Sequence, residues 1–128
     1  MKMKMYEVLE FQKLYEKIKD SKMPFKTAYK FSKLIKALEV EIQFYQEKFG
    51  ELVEKFAERD EEGGFIFLDE GQGVKIKKED IQECNQQMAD LNNLEVDIDV
   101  EEFSIDELEQ IDLTIEDMRV LLPYIKED

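Results

Sequence analysis

Carboxylates are the residues of this sequence whose type and spacing come nearest to chemistry. Asp97, Asp99, Glu101 and Glu102 lie close together and offer the hard oxygens that hold calcium or magnesium. Their spacing is not that of an EF-hand loop, which needs a glycine at its sixth position and a glutamate at its twelfth. The plainer reading is a solvated strand face. Paired carboxylates also serve glycoside hydrolysis, but that chemistry works in an aromatic-rich sugar cleft, commonly with Trp, and there is no Trp here. His is absent as well, which removes the commonest general base, the usual zinc and haem ligand and the physiological pH switch together. Cys84 has no His to activate it and no second thiol for a disulfide or a metal site, so it reads as a small buried hydrophobe. Gly71-Gln72-Gly73 is too short for a phosphate-cradling loop and lacks the following Lys-Ser/Thr, so no nucleotide is assigned to it. The expectation is a protein without enzymatic activity, cofactor or metal.

Contact surfaces are better marked than catalytic ones. Lys22, Lys26, Lys30, Lys33 and Lys36 recur three or four residues apart and share one helical face, fit either to meet phosphates or an acidic protein surface or simply to be solvated. The rest of the chain runs the other way. The net charge is −14, which disfavours a nucleic-acid role resting on a general basic surface. Residues 1–36 hold ten Lys against four acids, whereas residues 79–128 hold two basic residues against seventeen acids. Three arrangements suit such a dipole: the basic helices pack near the acidic half within one subunit, the two surfaces meet head to tail between subunits, or each faces a different partner. The acidic half also offers carboxylates that imitate duplex phosphates, the means by which an inhibitor blocks a DNA-binding protein.

Positioning these groups falls to a small set of elements. With 128 residues, 43% of them hydrophobic, the chain is one domain's worth with enough apolar residues for a core. Met5, Val8, Leu9, Leu14, Tyr15 and Ile18 predict a first amphipathic helix over 5–19, which Asp20-Ser21-Lys22-Met23-Pro24 breaks. A second helix from Phe25 to Glu58 carries a heptad series, with Ala28, Ile35, Ile42, Phe49 and Phe56 at one position and Phe31, Leu38, Tyr45 and Leu52 at the other. Unbroken, it would be about 51 Å long, against about 36 Å for the diameter of a compact chain of this size. The expectation is an elongated molecule with the first helix folded back along the second, or a break at Gly50. Phe49, Leu52 and Phe56 are the apolar contact residues expected on this stripe, which could also pair copies of the chain.

Beyond a charged Gly63-Gly64 exit, Phe65-Ile66-Phe67-Leu68 and Val74-Lys75-Ile76-Lys77 predict a β-hairpin over 65–77, turning at Asp69–Gly73. A third helix over 78–92 turns Ile81, Cys84, Met88 and Leu91 to one face. Leu94 to Val100 alternates apolar and acidic, predicting a strand that joins the hairpin as a third member. Ser104-Ile105-Asp106-Glu107 and Thr114-Ile115-Glu116-Asp117 have the form that caps a helix, predicting two short terminal helices, the second stopped by Pro123 with Tyr124 and Ile125 docking back. No signal peptide is expected, and the longest apolar run, Phe65 to Leu68, is far below the roughly 20 residues that span a bilayer.

Pro24-Phe25-Lys26, Tyr29, Lys33, Ala37-Leu38-Glu39 with Glu41, Phe44-Tyr45, Arg59-Asp60-Glu61-Glu62-Gly63 and Leu91-Asn92-Asn93-Leu94-Glu95-Val96 together resemble a family of small uncharacterised proteins of bacteriophages and prophages. In that family a short N-terminal helix precedes a Pro-x-Lys motif and a long helix ends in a Lys/Arg-Asp-Glu-x-Gly turn. The likeness covers roughly residues 20–100. It implies a phage origin and a protein of the host cytoplasm or the virion, and it carries over no catalytic residue.

The fold expected is α+β: a long helical hairpin packed with a small antiparallel sheet and short C-terminal helices. It is read as a single domain over 1–128, with the hairpin at 1–62 and the β-hairpin, helix, strand and short acidic helices at 63–128. The function expected is a non-enzymatic phage protein–protein interaction component in virion assembly or architecture. The alternative is a phage-encoded inhibitor that binds a host defence or DNA-binding protein through its acidic surface. Lys26, Lys30, Lys33, Phe49, Leu52, Phe56, Asp97, Asp99, Glu101 and Glu102 are the expected contact residues. The partner is a phage or host protein, or a second copy through the long helix, with no direct nucleic acid and no membrane.

Overall fold

A computed structural model of the chain describes residues 1–68 and 73–126. Helices dominate, with a two-stranded antiparallel sheet, so the class is α+β as expected. The chain forms two compact units, Met1–Ile42 with Glu95–Asp128 and Gln43–Leu94. The division between the units falls inside the long helix.

In the first unit, strand β1 (Lys2–Lys4) leads into helix α1 (Met5–Ile18), which buries Met5, Val8, Phe11, Leu14 and Ile18 at helical spacing. After the break at Asp20–Pro24, helix α2 (Phe25–Phe56) starts behind proline, where a residue without an N–H costs nothing. Its first half turns Phe31, Leu34, Leu38 and Ile42 inward, and the Phe11 and Phe31 rings stack 6.3 Å apart. Strand β2 (Glu95–Asp97) pairs antiparallel with β1, setting Lys2 opposite Asp97, Met3 opposite Val96 and Lys4 opposite Glu95. This corrects the expected pairing with the 65–77 hairpin. Met1-Lys2-Met3-Lys4-Met5 alternates at strand period, burying Met3 against Val96 while its lysines meet the acidic row, an opposite-charge pairing that stabilises adjacent strands.

Short helices α4 (Ile105–Leu108) and α5 (Ile115–Leu121) follow, and a 3₁₀ turn at Leu122–Tyr124 contains Pro123. The tail does dock back. Phe103 donates its N–H to the Tyr124 carbonyl at 2.8 Å, and Lys126 donates to the Phe103 carbonyl at 2.7 Å. The rings follow, Phe103 lying 4.4 Å from Phe31 and Tyr124 lying 5.1 Å from Phe11. The buried Tyr124 hydroxyl donates to the Met3 sulfur at 3.3 Å.

The second unit begins with the remainder of α2, which runs through Gly50 without a break and ends at Phe56 instead of Glu58. It stops there because the next residues pair laterally: Ala57 bridges Ile76 and Arg59 bridges Phe65. The expected 65–77 hairpin is present as isolated bridges, Phe67 opposite Val74, instead of regular strands. Its turn, predicted at Asp69–Gly73, lies outside the described residues except for Gly73. Gly63 takes a positive φ of 84°, which turns the chain back at the predicted glycine pair. A 3₁₀ turn at Lys78–Asp80 leads into helix α3 (Ile81–Asn92), which buries Cys84 and Leu91 and leaves Ile81 exposed, contrary to the predicted face. Among the described residues no helix is long and apolar enough to cross a membrane.

Candidate functional site

The lysine row does not stand as a row. Lys30, one of its members, is only 9% exposed at its side chain and bonds 2.8 Å to Glu107 Oε1, with a second bond of 3.0 Å to the Glu102 carbonyl. Glu107 already serves a helix start. Ser104 N–H donates to Glu107 Oε1 at 2.9 Å and Glu107 N–H donates to Ser104 Oγ at 3.2 Å, the reciprocal bonds of a capping box. The Lys30 ammonium, with the Ser104 backbone behind it, holds the Glu107 carboxyl down at about 2. Lys30 is therefore corrected from a partner-binding residue to a structural one, because a chain-internal carboxylate occupies it.

The second predicted cap repeats the design. Thr114 N–H donates to Asp117 Oδ2 at 3.0 Å, Asp117 N–H donates to Thr114 Oγ1 at 3.1 Å, and Lys17 of α1 reaches both carboxylate oxygens at 2.9 and 3.1 Å. The Thr114 backbone N–H, then Lys17, lowers the Asp117 carboxyl below its ordinary range. Each helix of the basic hairpin thus contributes one lysine to the capping carboxylate of one acidic helix. Of the three arrangements open to the charge dipole, the first is realised within this unit. Sequence reasoning found both caps and missed their lysines, since Lys17 and Lys30 look like any other member of a lysine-rich stretch.

Lys26 and Lys33 remain exposed, Lys33 with its ammonium 5.5 Å from the Tyr29 ring centre. The face is not merely a solvated lysine face. Phe25 is 89% exposed on it, with Tyr29 and Val40 also exposed. The acidic residues divide as well. Asp97 receives the Met1 ammonium at 3.3 Å, and Lys2 stands 3.6 Å from Glu95 across the sheet. Asp99 and Glu101 line a polar cleft of about 260 Å³ with Lys30 and Lys33, and Glu102 is exposed. No group of three His, Cys, Asp or Glu among the described residues is placed to hold a metal ion.

In the second unit the three predicted apolar contact residues separate. Phe56 is 2% exposed and cannot reach a partner, and its carbonyl accepts from the Lys77 N–H at 2.9 Å, which brings the returning segment alongside it. Phe49 is exposed and stacks on Tyr45 at 5.9 Å, and Leu52 is half-buried. Leu52 lines a groove of about 300 Å³ whose apolar walls include Phe44, Leu91 and Leu94 and whose rim carries Lys48, Glu51, Gln87 and Asp90. Cys84 is buried, and burial first, then Asp80, pushes its thiol above the ordinary range. Comparison with known proteins finds no family model that matches the chain and no significant match to a curated protein or a solved structure.

Proposed function

We propose that this chain is a non-enzymatic protein–protein interaction component of a phage, acting in virion assembly or architecture and present in the host cytoplasm or the virion. The observation that carries the reading is the groove of the second unit. Its apolar floor of Leu52 and Leu91, flanked by exposed Phe44 and Leu94 and rimmed by charge, has the anatomy of a contact patch with an apolar centre and a polar border. The phage assignment draws on the sequence motifs alone. A second reading, an inhibitor that grips a host defence or DNA-binding protein, is favoured by the exposed carboxylates of Asp97, Asp99, Glu101 and Glu102.

The test is mass spectrometry of purified particles and assembly intermediates. The chain should be present, and Phe44→Asp with Phe49→Asp should remove it while leaving its circular dichroism unchanged. Absence from every particle fraction, with recovery in a stoichiometric complex with one host protein, would overturn assembly in favour of inhibition.

A further inference from the structure

We propose that the first unit docks onto a second copy of this chain, the lysine–aromatic stripe of α2 in one copy meeting the acidic, isoleucine-bearing C-terminal segment of the other. This rests on the reading of the protein as an interaction component and names its partner.

The first observation is a segregation of charge that internal pairing does not use up. One residue in four of this chain is acidic, yet residues 21–38 contain five lysines and no acid, while residues 95–118 contain eleven acids and no base. The two capping boxes consume Lys17, Lys30, Glu107 and Asp117, and the sheet engages Glu95 and Asp97. Lys22, Lys26 and Lys36 remain exposed on one side, and Asp106, Glu109 and Asp112 on the other.

The second observation is that both faces also carry large apolar side chains which the unit leaves in water. On α2, Phe25, Tyr29, Lys36 and Val40 lie along one edge of the helix, opposite the buried Phe31, Leu34 and Leu38. On the acidic segment, Ile115 is 91% exposed, and Ile105 and Leu122 are exposed too. Ile105 and Ile115 each occupy the first position after a cap, where the capping bonds need nothing from the side chain. Neither is explained by packing within the unit.

The complementarity selects one pairing. Stripe against stripe sets lysine against lysine, and segment against segment sets carboxylate against carboxylate, so only the mixed contact joins opposite charges over apolar side chains. Such a contact closes as a two-fold dimer where each copy's stripe meets the other's segment at once, and otherwise runs head to tail as a ring or a filament. The net charge of −14 on each copy opposes it at long range. At physiological ionic strength screening acts beyond about 8 Å, which removes most of that repulsion and spares the close pairs.

The test is sedimentation velocity of the full chain across a concentration series at physiological salt. The mass is expected to rise with concentration, and less so at very low salt. Lys26→Glu with Lys36→Glu should hold the chain monomeric, as should Asp106→Lys with Asp112→Lys, each with an unchanged circular dichroism spectrum. Mixing the two variants should restore association, because both mixed contacts are again of opposite charge. Phe25→Ser with Tyr29→Ser should weaken association about tenfold or more. A wild-type chain that stays monomeric throughout overturns the proposal, as does an oligomer unmoved by either charge reversal. Binding of a fluorescent oligothymidylate that is lost in Lys26→Glu/Lys36→Glu assigns the stripe to nucleic acid and overturns it too. A monomer that still enters particles sinks this inference alone, whereas a self-associating chain absent from particles sinks only the assembly reading.

Discussion

One helix, α2, supplies both units with the same apolar pattern, and the two halves meet different fates. In the first unit Phe31, Leu34, Leu38 and Ile42 are all buried, under a C-terminal segment that brings Phe103, Leu108, Ile111, Leu121 and Tyr124 into the same core. In the second, Phe56 is buried while Phe44 and Phe49 stay exposed, and the other buried apolar residues described are Ala57, Cys84 and Leu91. The difference lies in the covering segment. The first unit's cover is fastened by two lysine-bound capping boxes beside the Phe103–Ile125 bridge, whereas the bridged segment of the second unit is tied down by the more exposed ion pairs Arg59–Glu54 and Lys75–Glu58. A heptad pattern specifies that a helix face is apolar and leaves open what covers it.

Truncating the core should separate the two halves most sharply. Phe103→Ala, which removes a fully buried ring packed on Phe31, is expected to cost about 3–5 kcal/mol in urea unfolding, against under about 0.5 kcal/mol for Phe49→Ala. Equal costs would erase the distinction. The fastenings come next. Lys30→Met leaves the buried Glu107 carboxylate, whose Oε2 already lacks a hydrogen-bond partner, without the counter-charge at Oε1, for an expected loss of about 2–3 kcal/mol. Gly50→Ala sharpens the comparison from the other side. A Cβ there meets nothing within 4 Å, so the helix of the second unit should gain about 0.5–1 kcal/mol. Lys17→Met should cost less than Lys30→Met, under about 1 kcal/mol, since the Lys17 side chain is half exposed. Thermal melts of the two lysine variants side by side check that order.

Much of this architecture was legible in the sequence. The helix starts at Pro24, Ser104 and Thr114 were readable because each rests on a local rule, fixed φ in one case and a reciprocal cap in the others. The core face of α1 was legible in part: Met5, Val8, Leu14 and Ile18 are buried as the spacing predicts, but the fully buried Phe11 was not among the residues read, and Leu9 and Tyr15 are only half-buried. What escaped were pairings between distant segments. Met1–Met5 alternates as a strand does, but its partner lies more than ninety residues away and could not be read from either segment. The same blindness put Lys30 among the surface lysines: helical spacing assigns a side chain to a face and cannot say that a capping glutamate seventy-seven residues on will claim it. Phe56 failed for a related reason: the Lys77 segment that returns alongside it lies beyond the end of the helix.

Acid should loosen the first unit's fastenings in a defined window. Both capping carboxyls sit below their ordinary values, so through the range beneath about pH 4.5 the unfolded chain binds more protons than the folded one. Their stabilisation is complete above that range and is lost as the pH falls toward the folded values, near 2 for Glu107. The most direct test of the account is therefore an NMR titration of the Glu107 side-chain carboxyl in the folded chain. The Lys30-bound capping box predicts a midpoint near 2, returning toward the ordinary glutamate value in Lys30→Met. A midpoint near 4.3 in the wild-type chain, unmoved by that substitution, would contradict it.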